Sequence, residues 1–401
     1  MKIGYFLDIF YPEINGVITS TVNLAKNLIK KGHEVVFFAP KKENFKEEVI
    51  HGDIRMFYIP SVKAPFYPDM RFNLPRSKRF DDFVKKENFD IFHVTGPWLM
   101  GWLAIHYANK YSIPLVQTYH TRISDPKYIS YVIKNEKLIP LSQKLLWWYI
   151  EQFIRRSNFI TAPSEYAKEE LLNHIPDLEV EYISNGIEIE AFDKYDSFEE
   201  IKRKYPFFTR RMFIYVGRLG VEKSIDIIIK AISEIAKEYS NSKLVIIGDG
   251  PDRRRLEGLV RQLELENVVF FLGKIQNEKL IRSGLVHNSY CFVTASTSET
   301  QGLNVVEAQV CGTPSIVPDV KSFRNIITCE EAFFTPHDHR ELANLMRRIL
   351  VDKNLYNKLK NEARRNADLF DGKIIADKFE KIYMDLISSR ISSSFSLDKE
   401  R

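Results

Sequence analysis

The sequence lacks most of what would mark a secreted disulfide protein, a membrane-spanning protein or a metal enzyme. Only three cysteines, Cys291, Cys311 and Cys329, occur in 401 residues, and no two form a C-x-x-C pair. That gives no disulfide framework and fits buried or incidental free thiols in a reducing compartment. No apolar run approaches the ~20 residues that cross a bilayer. The opening Met1-Lys2-Ile3-Gly4-Tyr5-Phe6-Leu7 meets Asp8 at once, so it reads as a buried first strand and not as a signal peptide. A cytoplasmic protein is expected, free to lie on a membrane surface. Asp-x-Asp is absent, so a diphosphate bridged by a metal is not indicated and no metal ligand is assigned. There is no internal repeat and no low-complexity segment.

What is present points to an α/β protein. A 44% hydrophobic and 13% aromatic chain of this length supports two cores, in domains of roughly 200 residues each. Apolar strand-like runs at 3–7, 34–39, 91–94, 115–118 and 159–162 alternate with helical stretches at 17–31, 99–111, 138–157 and 165–173. The alternation lapses across 186–206, where charges cluster. It restarts with strands at 212–216, 243–247, 268–272, 290–294 and 315–318, and helices at 224–239, 253–263 and 305–311. Alternation of this kind builds right-handed βαβ units and a parallel sheet. Two Rossmann-like doubly wound domains facing a central cleft are therefore expected, 1–193 and 194–372, with a linker near 190–208. A last helix at about 373–387 belongs to either half, followed by a frayed Ser-rich tail. Ligands of such sheets sit at the carboxyl ends of the strands.

Charge is unevenly spread. Residues 61–160 hold 15 Lys/Arg against 8 Asp/Glu, a balance of +7, so the remainder of a chain with net +5 carries −2. A basic face on one domain suggests an anionic partner surface. Nucleic acid is the competing partner, but no nucleic-acid-binding motif occurs.

Chemistry-bearing residues gather at predicted strand ends. Gly217-Arg218-Leu219 and Glu222-Lys223 follow one strand and precede a helix. Two cations at a helix N-terminus suit a diphosphate, although that loop alone also reads as a solvated basic turn. Farther on, Glu299 and Glu307 stand eight positions apart, flanking Thr300-Gln301-Gly302-Leu303 at the start of a helix. Carboxylates so spaced suit gripping hydroxyls of two sugars and not sharing one proton; a helix-dipole acid plus a surface acid is the alternative for either alone.

Together these stretches resemble the nucleotide-sugar domain of retaining glycosyltransferases of family 4. The residues that carry the resemblance are Val216-Gly217-Arg218-Leu219 with Glu222-Lys223, Ile246-Ile247-Gly248-Asp249-Gly250-Pro251, Phe271-Leu272-Gly273, the Glu299/Glu307 pair, and Glu307-Ala308 followed by Cys311-Gly312-Thr313-Pro314. They occur in the family's order over nearly the whole chain. The resemblance implies the GT-B fold and a set of roles. Arg218 and Lys223 would hold the donor diphosphate, Glu307 the ribose, and Glu299 the transferred hexose, helped by the amides of Gln301, Gly302 and Leu303. The backbone of Gly273, Lys274 and Ile275 would meet the base. Gly16, in Asn15-Gly16-Val17 where many members have Gly-Gly, would lie under the diphosphate. His120, ending Gln117-Thr118-Tyr119-His120, would stand beside the donor sugar. No cofactor is implied beyond the nucleotide-sugar donor.

Phe10-Tyr11-Pro12-Glu13-Ile14-Asn15-Gly16, Tyr119-His120-Thr121 and Ser298-Glu299-Thr300-Gln301-Gly302 resemble the family's diacylglycerol glucosyltransferase branch. This implies UDP-glucose as donor, 1,2-diacylglycerol as acceptor and an α-glycolipid as product. Two basic-aromatic stretches could meet an anionic membrane: 74–86, with Phe80, Phe83 and Val84 beside Lys78, Arg79, Lys85 and Lys86, and 138–156, with Leu141, Leu145, Trp148, Ile150 and Phe153 near Lys144, Arg155 and Arg156. Covering a sheet is the competing reading of both. The rival functions are a family-4 transferase with a soluble sugar or polyol acceptor and a GT-B nucleotide-sugar epimerase or binding protein. A nicotinamide dehydrogenase is disfavoured, because Gly248-Asp249-Gly250 is followed by Arg253 where G-x-G-x-x-G needs its last glycine.

Overall fold

A computed structural model describes residues 1–10, 16–41, 48–63, 71–73, 78–120, 129 and 135–397. The chain divides into two compact units, Met1–Gly186 with Gly372–Arg401, and Ile187–Asp371.

The first unit holds strands β1 (Lys2–Phe6), β2 (Glu34–Pro40), β3 (Val49–Ile50), β4 (Ile54–Ile59), β5 (Ser61–Lys63), β6 (Arg71–Asn73), β7 (Ile91–Val94), β8 (Leu115–Thr118), β9 (Phe159–Ala162) and β10 (Glu181–Tyr182). Eight form one sheet in the order β10-β9-β8-β7-β1-β2-β4-β3, while β5 and β6 make a separate ribbon. Pairing in the large sheet is parallel except between β3 and β4. Strand order reverses between β1 and β7, the kind of switch point where doubly wound sheets bind ligands. The central strands are buried on both faces, as their unbroken apolar runs require.

One face is covered by helix Gly16–Lys30 and the terminal helix Gly372–Leu397. Ile18, Val22, Ala25 and Leu28 share a core with Ile375, Phe379, Ile382 and Tyr383. The last helix is therefore part of the first unit. Helices Lys78–Glu87, Leu99–Tyr111 and Ile139–Ile154 cover the other face. Here one expectation changes. Phe80 and Val84 are buried in that core and Phe83 packs against it, so the apolar side of Lys78–Glu87 faces the sheet and not a membrane. Its lysines form the solvated side, an ordinary amphipathic arrangement.

The second unit holds β11 (Arg211–Val216), β12 (Ser242–Ile247), β13 (Val269–Gly273), β14 (Cys291–Val293), β15 (Ser315–Pro318) and β16 (Phe333–Phe334). They lie in the order β13-β12-β11-β14-β15-β16 with parallel pairing, the dinucleotide-fold order, reversing between β11 and β14. The segment 190–208, expected as a linker, is packed structure of this unit. Phe192, Ile201 and Phe208 are in its core, and Ser197 closes a capping box with Glu200 on helix Phe198–Lys204.

His93 is a polar residue in an otherwise apolar core strand. It is 1% exposed and hydrogen-bonded through Nδ1 to Tyr383 and through Nε2 to Thr118. Burial, with the nearby His120 adding to it, lowers its pKa from 6.5 to about 3. The fold keeps the ring neutral where the unfolded chain would protonate it. Its contribution to stability is complete above about pH 6.5 and is lost as pH falls toward 3, at up to about 1.4 kcal/mol per pH unit. His93→Gln should therefore lower stability at pH 7 yet show a smaller fall in melting temperature between pH 6.5 and 4.5 than the native chain. Parallel melting curves for the two proteins would contradict the neutral buried ring.

Candidate active site

In the second unit the loops after β11 and β14 meet at the strand-order reversal. β11 ends at Val216, and Gly217-Arg218-Leu219 turns back over the sheet edge. The loop after β12 lies directly on it: the Leu219 amide donates to the Asp249 carbonyl at 3.0 Å, and the Gly217 amide to the Ile247 carbonyl at 2.9 Å. A Cβ on Gly248 would stand 1.8 Å from the Gly217 carbonyl oxygen, and one on Gly250 2.3 Å from that of Leu219. Glycine is what permits the two backbones to approach so closely.

This packing presents the two cations. Arg218 Nη2 pairs with Glu222 Oε1 at 3.1 Å; the arginine side chain is 40% exposed and the glutamate only 2%. Lys223 Nζ donates to Glu299 Oε1 at 2.6 Å, with both side chains about five-sixths buried (15% and 16% exposed). The structure thus joins residues 76 apart in sequence into one contact above the strand ends.

After Glu299 the chain turns at Gly302, whose φ of +90° sets the start of helix Leu303–Val310. A Cβ there would also meet Phe323 at 2.5 Å. Gln301 is buried beside it, and Asn304 Nδ2 donates to the Val216 carbonyl at 2.9 Å, fastening this helix to the end of β11. Glu307 lies on the same helix and accepts from Asn277 Nδ2 at 2.9 Å. Burial raises its pKa to about 7, against the opposing pull of that hydrogen bond. Gly273 ends β13 with φ +71° and its carbonyl accepts from the Gly248 amide at 2.8 Å. Lys274 and Ile275 follow it, exposed and half-buried. Among the described residues no group of three or more His, Cys, Asp or Glu stands together as a metal site.

In the first unit, His120 follows β8, its amide bonded to the Thr118 carbonyl at 3.0 Å, and burial lowers its pKa to about 4. Gly16 is the exposed first residue of its helix. Asn15, Thr121 and residues 11–14 lie outside the described residues.

Sequence reasoning gave no role to Glu222, Asn277 or Asn304. Glu222 lies within a quoted motif. Asn277 and Asn304 have no local signal, since each acts on a residue 30 or 88 positions away.

Comparison with known proteins bears on the family and the fold. The chain matches the model of Glycosyl transferases group 1 over residues 197–366 and that of Glycosyltransferase Family 4 over residues 14–191. It is 30% identical over 396 residues to the alpha-monoglucosyldiacylglycerol synthase of Acholeplasma laidlawii, covering 96% of this chain and 98% of that protein. With the protein of the same name from Streptococcus pneumoniae it is 28% identical over 410 residues, covering 98% and 90%. A solved structure of sucrose-phosphate synthase from Thermosynechococcus elongatus matches with TM-score 0.77 at 22% identity, covering 97% of this chain and 99% of that one. Two doubly wound units with this site define a GT-B glycosyltransferase. The chain belongs to glycosyltransferase family 4 and is a retaining hexosyltransferase, resembling the family's diacylglycerol glucosyltransferase branch.

The turn at Gly302 should not tolerate a side chain. Gly302→Ala combines a left-handed backbone with a collision against Phe323 and should cost about 1–3 kcal/mol in chemical denaturation of the second unit. An unchanged denaturation midpoint would contradict the assigned backbone.

Proposed function

We propose that the enzyme transfers glucose from UDP-glucose to 1,2-diacylglycerol at the cytoplasmic face of an anionic membrane, forming an α-glycolipid. The observation that carries the donor half is the Lys223–Glu299 pair at 2.6 Å beside Arg218, where the second sheet reverses. A cation already held by a carboxylate is fixed in place before the donor arrives, so its positive end needs no reorganisation during reaction. Lys223 and Arg218 take the diphosphate, Glu299 the hexose hydroxyls, and the amides of Gln301, Gly302 and Leu303 add donors at the helix start. Glu307, held by Asn277, takes the ribose hydroxyls; Gly273, Lys274 and Ile275 meet the base. From the first unit, Gly16 lies under the diphosphate and His120 beside the sugar.

The chemistry follows from these placements. The bond between the sugar's anomeric carbon and the diphosphate oxygen breaks, and a bond from that carbon to the acceptor hydroxyl oxygen forms on the same face. The acceptor's proton passes to the departing diphosphate. Arg218 and Lys223 stabilise the charge that gathers on the leaving group, and no protein nucleophile takes part.

Two things support the lipid acceptor: the printed names of the two bacterial relatives, and helix Ile139–Ile154. On that helix Ile150, Phe153 and Ile154 are buried, while Leu141, Leu145 and Trp148 are 57%, 59% and 62% exposed. With Leu138 they recur at spacings of three and four, forming one stripe, and exposed Lys137 and Lys144 stand beside it. Adjacent Trp147 turns the other way and stacks on His174 at 3.8 Å. An apolar stripe with lysines at its margin fits the headgroup region of an anionic bilayer. No described helix is long and apolar enough to cross one.

Lys223→Ala should reduce glucosyl transfer to diacylglycerol in mixed micelles by at least about 10²-fold while circular dichroism stays native. Near-native turnover would remove the diphosphate role. In the double variant Leu145→Glu/Trp148→Glu, co-sedimentation with phosphatidylglycerol vesicles should drop about tenfold. Binding that is unaltered, or equal on phosphatidylcholine, would reject the membrane surface and favour a soluble acceptor.

A further inference from the structure

Behind β7 and β8 runs a row of buried hydrogen bonds that ends on the terminal helix. Thr161 Oγ1 bonds Thr118 Oγ1 at 2.7 Å, and Thr118 Oγ1 bonds His93 Nε2 at 2.7 Å. His93 Nδ1 bonds the Tyr383 hydroxyl at 2.6 Å, and that hydroxyl bonds the Tyr5 hydroxyl at 2.9 Å. All five side chains are at most 3% exposed. The His93 ring is also clamped, stacked on Tyr5 at 4.9 Å and against Phe379 at 5.3 Å.

The proton count makes this row a single unit. Four hydroxyls and one neutral imidazole carry five protons for four links. A neutral ring donates from one nitrogen and accepts at the other. If Tyr383 donates to Nδ1, then Nε2 donates to Thr118 and Tyr5 donates to Tyr383. In the opposite tautomer Nδ1 donates to Tyr383, Thr118 donates to Nε2, and Thr161 donates to Thr118. Removing the Tyr383 hydroxyl therefore leaves both a buried ring nitrogen and a buried phenol unpaired, and Thr118 bonded to a ring no longer fixed at its far side.

Tyr5, His93 and Val116 are register partners, so Thr118, two residues farther along the same strand, lies on their side of the sheet, and His120 follows the turn at that strand's end. A small cavity confirms the juxtaposition: Tyr5, His93, Thr118 and His120 all line it, with Phe379 of the terminal helix. We propose that Tyr383 is a positioning residue, acting through His93 and Thr118 to fix the strand end from which His120 projects. The terminal helix is then part of the catalytic unit and not only a cover for the sheet. This rests on the role of His120 given above.

The test is Tyr383→Phe in the full chain, with Met384→Ala as the control, since Met384 is 47% exposed on the same helix. Tyr383→Phe should lower kcat for glucosyl transfer about 10- to 100-fold, as small misplacements do, with the donor KM within about twofold. In the same samples the ring resonances of His120, assigned by comparison with His120→Ala in ¹⁵N-histidine spectra, should shift in Tyr383→Phe and stay put in Met384→Ala. Native kcat, or unmoved His120 resonances, would overturn the proposal. If His120→Ala itself turns over normally, the role of His120 falls, while the ring resonances still report whether Tyr383 positions it.

Discussion

The candidate site depends on one constraint: a lysine and a glutamate 76 residues apart must be held together with most of their surface away from water. Two mostly buried charges are costly unless each is the other's partner. At 2.6 Å Lys223 and Glu299 satisfy that requirement, and everything around them serves it. Gly248 and Gly250 let the loop after β12 lie flat on the loop that carries Lys223. Gly302 turns the chain so that Glu299 comes back toward β11, and Asn304 pins the following helix to the end of that strand. Arg218 repeats the device on a smaller scale. Its partner Glu222 is almost wholly buried while the arginine side chain stays 40% exposed, so a buried carboxylate holds one terminal nitrogen of a guanidinium at the surface. The result is two cations fixed at the strand ends, each balanced by its own carboxylate.

A corresponding logic governs the first unit, with neutral groups in place of charged ones. A histidine in the middle of a parallel sheet has to be both uncharged and fully bonded: burial keeps His93 uncharged, and Tyr383, 290 residues away, completes its bonding. That contact comes from the helix with which the chain returns after the second unit. Without Gly372–Leu397, Ile18, Val22 and Leu28 would face water, and the His93 ring would lose the partner on Nδ1. Packing and hydrogen bonding thus make the same demand on the same helix.

The strands with unbroken apolar runs were legible in the sequence: the structure places β1, β2, β7, β8, β9, β11 and β12 within a residue or two of where alternation puts them. β3 and β4 were not, because Ile54-Arg55-Met56-Phe57-Tyr58-Ile59 sits toward the sheet's edge and mixes charge into its pattern. In the site, the motif residues were legible as types at strand ends. Their partners were not. Asn277 for Glu307, Asn304 for Val216 and Tyr383 for His93 are contacts over 30 to 290 residues, and no local period encodes them.

The two basic-aromatic helices show most clearly where a sequence pattern stops deciding. Lys78–Glu87 and Ile139–Ile154 both carry apolar residues at helical spacing with lysines nearby. The first has a single apolar stripe, so once the sheet takes Phe80 and Val84 nothing apolar remains for another surface. The second has apolar residues around more of its circumference: Ile150, Phe153 and Ile154 satisfy the sheet, and Leu141, Leu145 and Trp148 are left over. A helix that is apolar on two sides needs two partners. Among the described residues the fold covers the side that carries Ile150, Phe153 and Ile154, and leaves Leu141, Leu145 and Trp148 exposed between Lys137 and Lys144.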